Sequence, residues 1–365
     1  MPASERSNEA QRGAGGSGAA RSSASAAGST RDDSTGGGGA GRRAAVCTAL
    51  VPHPALLDAV RALADFSGRT PLPDCDLAEL AEVLDAHGLA PLASWQLEQR
   101  RAGLRVPMWF REKLLPLYQG VVNDNVFRMM TLKGLLRGVS CPALVLDGAA
   151  YVDWLYPHLA WRPVGELRLA VRGEDGGRFA EGAQAAGFEP TAQGPGGHTA
   201  TFSDGRLSVR LQEGLVPDRG EALGLFERAE PYRVAGPTAA RPSPGDALLF
   251  SVADAAGMGL QAPLLLWLDL RELVLRVTEA GSEEAGAVVA RAATAGLSRA
   301  LHGAMALTAH FFPAVAAGCR ALTPALGATE ALAVDAVVDA ARDPARLRRL
   351  RGTEEAARLL LEPHG

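Results

Sequence analysis

Residues 162–171 have the sequence RPVGELRLAV, and this stretch decides the fold class. After a short Pro- and Gly-containing loop, large apolar side chains occupy every second position, at Leu167, Leu169 and Val171. Glu166 and Arg168 alternate with them, so they share the opposite face, because successive side chains of a strand point to opposite sides. The alternation predicts a half-buried β-strand that carries charged side chains on its second face.

The neighbouring segments predict a small sheet around this strand. Upstream, residues 142–146 form a short apolar run, PALVL, that ends at Asp147 and Gly148. Downstream, a helix is predicted over residues 174–186, and two alternating segments follow at 198–202 and 206–213. Asp204-Gly205 separates the two segments, and Asp-Gly between alternating runs is typical of a hairpin turn. The central segment is therefore predicted to be a mixed α/β unit.

Helical periodicity dominates on both sides of this unit. Between residues 50 and 137 apolar side chains recur at helical spacing, and a long stripe at 110–136 includes Leu115 and Phe127, so these helices are expected to pack on another part of the structure. After residue 241, Ser243 is a predicted N-cap that precedes several Ala- and Leu-rich helices. The predicted organisation is a disordered Gly/Ser/Ala-rich tail at 1–43, helices at 44–140, an α/β core at 141–240 and helices at 241–365.

The composition excludes several classes of protein. The 365 residues have a formal net charge of −4 and lack the basic footprint of a nucleic-acid-binding protein. Isoleucine is absent and lysine occurs only at Lys113 and Lys133, so codon bias explains most of the arginine content. The four cysteines form no C-x-x-C pair, and neither a signal peptide nor a membrane span is indicated. We therefore expect a cytoplasmic protein without nucleic-acid or membrane partners.

Several short sequences occur in an order that resembles one bacterial family. They are HGLAPL at 87–92, LVLDGAA at 144–150, LYP at 155–157, RPVGELRLAV at 162–171, VRLQ at 209–212, SPGD at 243–246 and LDL at 268–270. The corresponding family sequences are H-x-x-x-P-L-L, K-G-A-A, L-Y-P, R-P-M-x-D-L-D-L-L-V, D-L-H-W and S-P-x-D. The chain thus resembles bacterial nucleotidyltransferases of the polymerase-beta-like superfold. The implied fold is α+β, with a small mixed sheet flanked by helical regions.

The resemblance implies a chemistry that depends on carboxylates. Two acids on one strand and a third on a neighbouring strand hold Mg²⁺, while a nucleoside monophosphate passes from a nucleoside triphosphate to an acceptor. Here Glu166 matches the first acid, but Arg168 and Arg210 stand at the second and third. Asp147 replaces a lysine, and a helix histidine of the family falls at Asp254. The fold-determining residues match the family, and the chemical residues do not.

These departures predict a degenerate nucleotidyltransferase that retains binding of a nucleotide, another anionic molecule or a protein. The candidate binding residues are Asp147, Gly148, Arg162, Gly165, Glu166, Arg168 and Arg210. No residue is assigned as catalytic and no cofactor is expected, since Glu166 is the remnant of the metal site. One alternative is an active, Mg²⁺-dependent enzyme with an unusual site, and a second is a helical scaffold protein.

Individual residues also allow two interpretations. Arg168 and Arg210 could bind an anion between them, or Glu166 could pair with both and fill the cleft. Gly148 could replace a functional Lys-Gly pair, but a turn that requires positive φ is favoured. Arg162 could contact a phosphate or stiffen the loop that contains Pro163.

Overall fold

Alternating and apolar segments of the sequence form the strands of one mixed sheet in the computed structural model, which describes residues 53–99, 106–194, 197–215, 224–343 and 353–362. The strands are β1 (Ala143–Val145), β2 (Leu167–Val171), β3 (Glu189–Gln193), β4 (Thr199–Ser203), β5 (Ser208–Glu213), β6 (Glu230–Pro231) and β7 (Ala239–Arg241). Their order across the sheet is β3-β4-β5-β2-β1-β7-β6. The predicted strand at 166–171 is thus confirmed as β2, the central strand among the seven described.

The pairing directions place β2 between two different neighbours. β2 runs parallel to β5 and antiparallel to β1, and β1 runs parallel to β7. The predicted hairpin is confirmed as β4 and β5, with Asp204 accepting backbone hydrogen bonds across the turn. β3 was not predicted, because it contains Pro190 and its residues are exposed. Both features are typical of an edge strand, which lacks an alternating apolar face.

Helices cover the sheet and extend from it on both sides. They are α1 (Pro54–Leu63), α2 (Leu77–Ala86), α3 (Ala90–Gln99), α4 (Met108–Gly138), α5 (Asp147–Tyr151), α6 (Gly176–Ala185), α7 (Pro244–Gly257), α8 (Leu264–Glu279), α9 (Ser282–Thr294), α10 (Ser298–Phe311), α11 (Ala316–Leu322), α12 (Ala328–Arg342) and α13 (Thr353–Leu361). The α+β class with flanking helices is therefore confirmed. The predicted tail at 1–43 lies outside the described residues, and the boundaries near 140 and 240 stay predictions.

Local sequence chemistry explains where α7 begins. The Ser243 hydroxyl accepts a hydrogen bond from the Asp246 backbone N–H, and Pro244 is the first helical residue. The predicted N-cap is thus confirmed. Asp246 is buried beneath this cap and forms ion pairs with Arg228 and Arg291. The cap fixes the start of the helix that carries Asp254 towards β2.

The long helix α4 corrects one expectation from the sequence. Its inner face is buried at Phe110, Leu114 and Leu136 as expected, but Leu115 and Phe127 are exposed. Apolar side chains therefore occupy two faces of α4, and only one of them packs against the described part of the protein. None of the helices in the described ranges is both long enough and apolar enough to span a membrane.

Candidate functional site

Two arginines lie side by side on the central parallel strands. Arg168 of β2 is the register partner of Arg210 of β5, so the two side chains leave the sheet on the same face. Neighbouring strands are about 4.8 Å apart, a separation at which two unpaired guanidinium groups would repel each other. Each arginine has its own carboxylate partners, and these partners make the arrangement possible.

Arg168 occupies the centre of the site. Its Nη1 lies 2.8 Å from Asp147 Oδ2 and 2.6 Å from Asp254 Oδ2, and its Nη2 donates to Gln212 Oε1 at 3.0 Å. Although burial opposes the charged form of the guanidinium, Asp147 and Asp254 raise the pKa of Arg168. The Nε atom is buried without an acceptor among the described residues. Arg168 is thus a fixed positive charge between two carboxylates.

Asp254 comes from α7, 86 positions away from Arg168 in the sequence. Burial raises the pKa of the Asp254 carboxyl to about 6, with Arg168 opposing the rise and Asp147 adding to it. The main physical cause is the removal of the carboxylate from water, and the Asp147 carboxylate, which shares the Arg168 guanidinium, adds to the rise. Asp254 therefore binds or releases a proton near neutral pH.

Asp147 reaches Arg168 through an unusual backbone conformation. It is the first residue of α5 and has φ of 50°, in the left-handed region. Aspartate is one of the few residues that adopt this region with little strain. The conformation lets the chain turn from β1 into α5 while the Asp147 carboxylate points towards β2.

Glycine is required at position 148 because there is no room for a side chain. The prediction that Gly148 adopts a positive φ is therefore wrong. The left-handed residue is Asp147, and Gly148 is absent from the left-handed positions of the described chain. A Cβ atom on Gly148 would lie 2.0 Å from Arg162 Nη1 and 2.6 Å from the Val164 carbonyl oxygen. Only glycine therefore fits against the Arg162 side chain.

Arg162 lies in a buried network and not on an exposed phosphate-binding surface. It donates to Asp269 through Nε at 3.0 Å and Nη2 at 2.7 Å, and to the Pro163 carbonyl through Nη1 at 2.7 Å. The Tyr156 hydroxyl donates to the same carboxylate at 2.5 Å. Burial raises the pKa of Asp269, while Arg162 and Tyr156 stabilise its charged form. The network fixes the loop before β2, as the alternative interpretation of Arg162 expected.

Glu166 and Arg210 form a separate pair at the exposed edge of the site. Arg210 Nη2 lies 3.5 Å from Glu166 Oε2, and the side chains retain 51% and 41% of their exposure. Glu166 thus pairs with Arg210, whereas Arg168 pairs with acids from other elements. Gly165, with φ of 66°, forms the turn before Glu166.

A cleft lies next to the loop that leads into β2. It has a volume of about 680 Å³, and two predicted site residues, Arg162 and Gly165, contribute to its lining together with Asp124 and Arg128. The volume is typical of sites for small molecules. Within the described ranges, no group of three or more His, Cys, Asp or Glu side chains is arranged to hold a metal ion.

Sequence reasoning missed the partners of Arg168. Asp254 falls at a histidine position of the family, but neither Asp254 nor Gln212 is among the predicted site residues. In the resemblance stated above, arginines stand at acid positions (Arg168 and Arg210), while acids stand at a lysine and a histidine position (Asp147 and Asp254). Such paired reversals indicate that the exchanged residues contact each other.

The sequence matches one known protein family. The family described as uncharacterised nucleotidyltransferase matches residues 73–313, which is well over half of the chain. The match begins before α2 and ends just after α10, so it includes the sheet, both ion-pair clusters and the cleft. No curated protein and no solved structure shows a significant match. The chain therefore belongs to the uncharacterised nucleotidyltransferase family.

Proposed function

We propose that this chain is a family member that has lost metal-dependent nucleotidyl transfer and retains the binding of a small molecule. The observation that carries the proposal is the Arg168 guanidinium, which lies within 2.8 Å of both Asp147 and Asp254. In the resemblance stated above, this strand position belongs to an acid that holds Mg²⁺. The positive Arg168 side chain lies between Asp147 and Asp254, the carboxylates that a metal cation would need as ligands.

The donor set does not fit Mg²⁺. This ion requires near-octahedral coordination by oxygen atoms at about 2.0–2.1 Å, and carboxylates are its usual protein ligands. Asp147 and Asp254 are both engaged by Arg168, and Glu166 is paired with Arg210. An arginine cannot give up its proton to make room for a metal ion, because its ordinary pKa is already above about 12. We therefore derive no reaction step through a metal.

Retained binding is supported by the cleft beside β2. Its lining contains Arg128 and Arg162 together with the acids Asp85 and Asp124, and its volume of about 680 Å³ would accommodate a nucleotide-sized ligand. Arg210 of the internal strand β5 is half exposed, outside the lining of the cleft, and can pair with an anion instead of Glu166. The half-exposed guanidinium of Arg210 favours a nucleotide or another anionic small molecule as the ligand.

One observation favours a second candidate, an active enzyme. Asp147 and Asp254 converge on one point in space, as two metal ligands would. If the Arg168 side chain swung away, these two carboxylates would be available to a cation. This candidate requires Mg²⁺-dependent release of pyrophosphate from a nucleoside triphosphate.

Pyrophosphate release separates the two candidates. The full chain is incubated with each of the four ribonucleoside triphosphates and Mg²⁺ or Mn²⁺, with Asp254→Asn as the matched variant. We expect no metal-dependent release above the rate of the variant. Metal-dependent release by the wild type that Asp254→Asn abolishes would support the active enzyme and overturn the proposal.

Ligand retention is tested by thermal shift with nucleotides and inorganic phosphate in the absence of metal. We expect an upward shift in the wild type that Arg128→Ala or Arg210→Ala reduces. No shift with any of these ligands would contradict retained anion binding.

A further inference from the structure

The exposed face of α4 carries a stripe of large apolar side chains. Six of them are exposed: Met108, Trp109, Leu115, Val126, Phe127 and Met130. At 100° per residue these positions fall within an arc of about 120° around the helix axis. The buried residues of α4, such as Phe110 and Leu132, lie on the opposite side. We call the exposed arc the α4 face.

Ordinary surface helices are polar on their outer side, so the α4 face requires an explanation. Met108 and Met130 are 74% and 70% exposed, which is unusual for side chains that stabilise a protein only when buried. The first 45 residues of the chain contain, apart from Met1, no large apolar side chain. That segment cannot supply the apolar surface needed to cover the α4 face.

The charges on the α4 face are arranged for a second copy in the opposite direction. Glu112 lies near the start of the helix, and Lys133 and Arg137 lie near its end, all within the same arc. None of the ion pairs between described residues includes these three side chains. An antiparallel pairing brings Glu112 of each copy to the basic end of the other. A parallel pairing would place like charges together.

The middle of the α4 face suits a two-fold axis. Gln119 and Asn123 lie near the centre of the 31-residue helix, and a Cβ atom on Gly120 would meet nothing within 4 Å. In an isologous interface with its axis near Asn123, this residue lies close to its own counterpart, so the two Asn123 amides can hydrogen-bond across the axis. A polar residue at the centre of such an apolar seam fixes its register.

We propose that the protein forms an antiparallel homodimer through the α4 face. The helix is about 46 Å long, and a stripe about 10 Å wide would bury roughly 1,000 Å² in total. That area lies at the lower limit for specific interfaces, so the dimer is expected to be weak, with Kd in the micromolar range. The inference is independent of whether the site at Arg168 is active.

Sedimentation velocity of the full chain, from about 5 to about 500 µM, measures the association. Wild type is expected to shift from monomer to dimer across this range, and Met130→Glu is expected to raise Kd at least tenfold. Leu332→Glu is the matched control, because Leu332 of α12 is equally exposed at 72% and lies outside the α4 face. A wild type that stays monomeric, or two variants with the same effect, would overturn the proposal.

Charge reversal and cross-linking test the orientation. Glu112→Lys is expected to raise Kd about tenfold at low salt, and adding Lys133→Glu is expected to restore association. In a background with Cys47→Ser and Cys75→Ser, oxidation should cross-link Asn123→Cys near the axis. It should not cross-link Met108→Cys, whose copies would be roughly 45 Å apart. Efficient cross-linking of Met108→Cys would refute the antiparallel arrangement.

Discussion

Arg168 and Asp254 are joined by two hydrogen bonds from a single nitrogen, with Nη1 2.8 Å from Oδ1 and 2.6 Å from Oδ2. The contact links the central strand β2 to helix α7, which follows the whole sheet in the sequence. The same nitrogen lies 2.8 Å from Asp147 Oδ2. One guanidinium therefore ties together three elements that meet at the candidate site.

Removing this guanidinium should destabilise the fold strongly. Arg168→Ala leaves two partly buried carboxylates facing each other, and breaking such a pair costs about 3–5 kcal/mol at neutral pH. Arg210→Ala is the control, since its pair with Glu166 is exposed and is worth about 1 kcal/mol or less. Urea unfolding of both variants measures the difference. Equal losses would show that Arg168 is not the central charge of the cluster.

Asp254 should titrate near pH 6. Its pKa is raised above the value of 3.8 for an unfolded chain, so the folded state binds more protons between about pH 4 and pH 6. The contribution of Asp254 to the free energy of unfolding therefore falls as pH rises through this window. The urea midpoint of the wild type should therefore fall relative to that of Asp254→Asn as pH rises over the same range, because asparagine does not titrate.

Carbon-13 NMR of the carboxyl groups reports the same titration directly. Asp147→Asn removes the neighbouring negative charge and should lower the pKa of Asp254. An unchanged pKa in Asp147→Asn would show that the two carboxylates do not share Arg168.

Gly148 should not tolerate a methyl group. The added Cβ would lie 2.0 Å from Arg162 Nη1, and the backbone oxygen of Val164 at 2.6 Å blocks the alternative direction. We expect Gly148→Ala to lower the free energy of unfolding by about 2–4 kcal/mol. Gly286→Ala, in the interior of α9 with nothing within 4 Å of its added Cβ, should be neutral or stabilising by up to about 1 kcal/mol. Denaturant unfolding compares the two variants.

The Tyr156 hydroxyl should contribute to the stability of the buried network. Tyr156→Phe removes a donor to Asp269 at 2.5 Å and leaves a buried carboxylate with one bond fewer. The expected cost is about 1–3 kcal/mol. Tyr118 stacks on His158 and has no hydrogen bond to other described residues through its hydroxyl, so Tyr118→Phe should change stability little. Thermal unfolding of the two variants tests the difference.

The parts of the fold that follow from local sequence were predictable. The alternation in β2, the Asp204-Gly205 turn and the Ser243 cap each depend on residues within a few positions of one another. β3 escaped prediction, since an exposed edge strand carries no apolar periodicity. The exposure of Leu115 and Phe127 on α4 was not predicted, because periodicity identifies an apolar face but does not show whether another element covers it.

The candidate site was only partly predictable for a different reason. The sequence placed Glu166, Arg168 and Arg210 together correctly, because their register follows from two neighbouring strands. It did not reveal that Arg168 would pair with Asp147 and Asp254, which requires knowing how α5 and α7 approach the sheet. Long-range ion pairs depend on tertiary geometry. In a single sequence, their only sign is that residues of opposite charge have replaced each other relative to the family pattern.

Binding of Mn²⁺, followed by electron paramagnetic resonance, tests the central claim that Arg168 takes the place of a cation. We predict that the wild type does not bind Mn²⁺ and that Arg168→Ala gains binding through Asp147 and Asp254. The double variant Arg168→Ala with Asp254→Asn should lose that gain. Stoichiometric Mn²⁺ binding by the wild type that Asp254→Asn abolishes would contradict the claim.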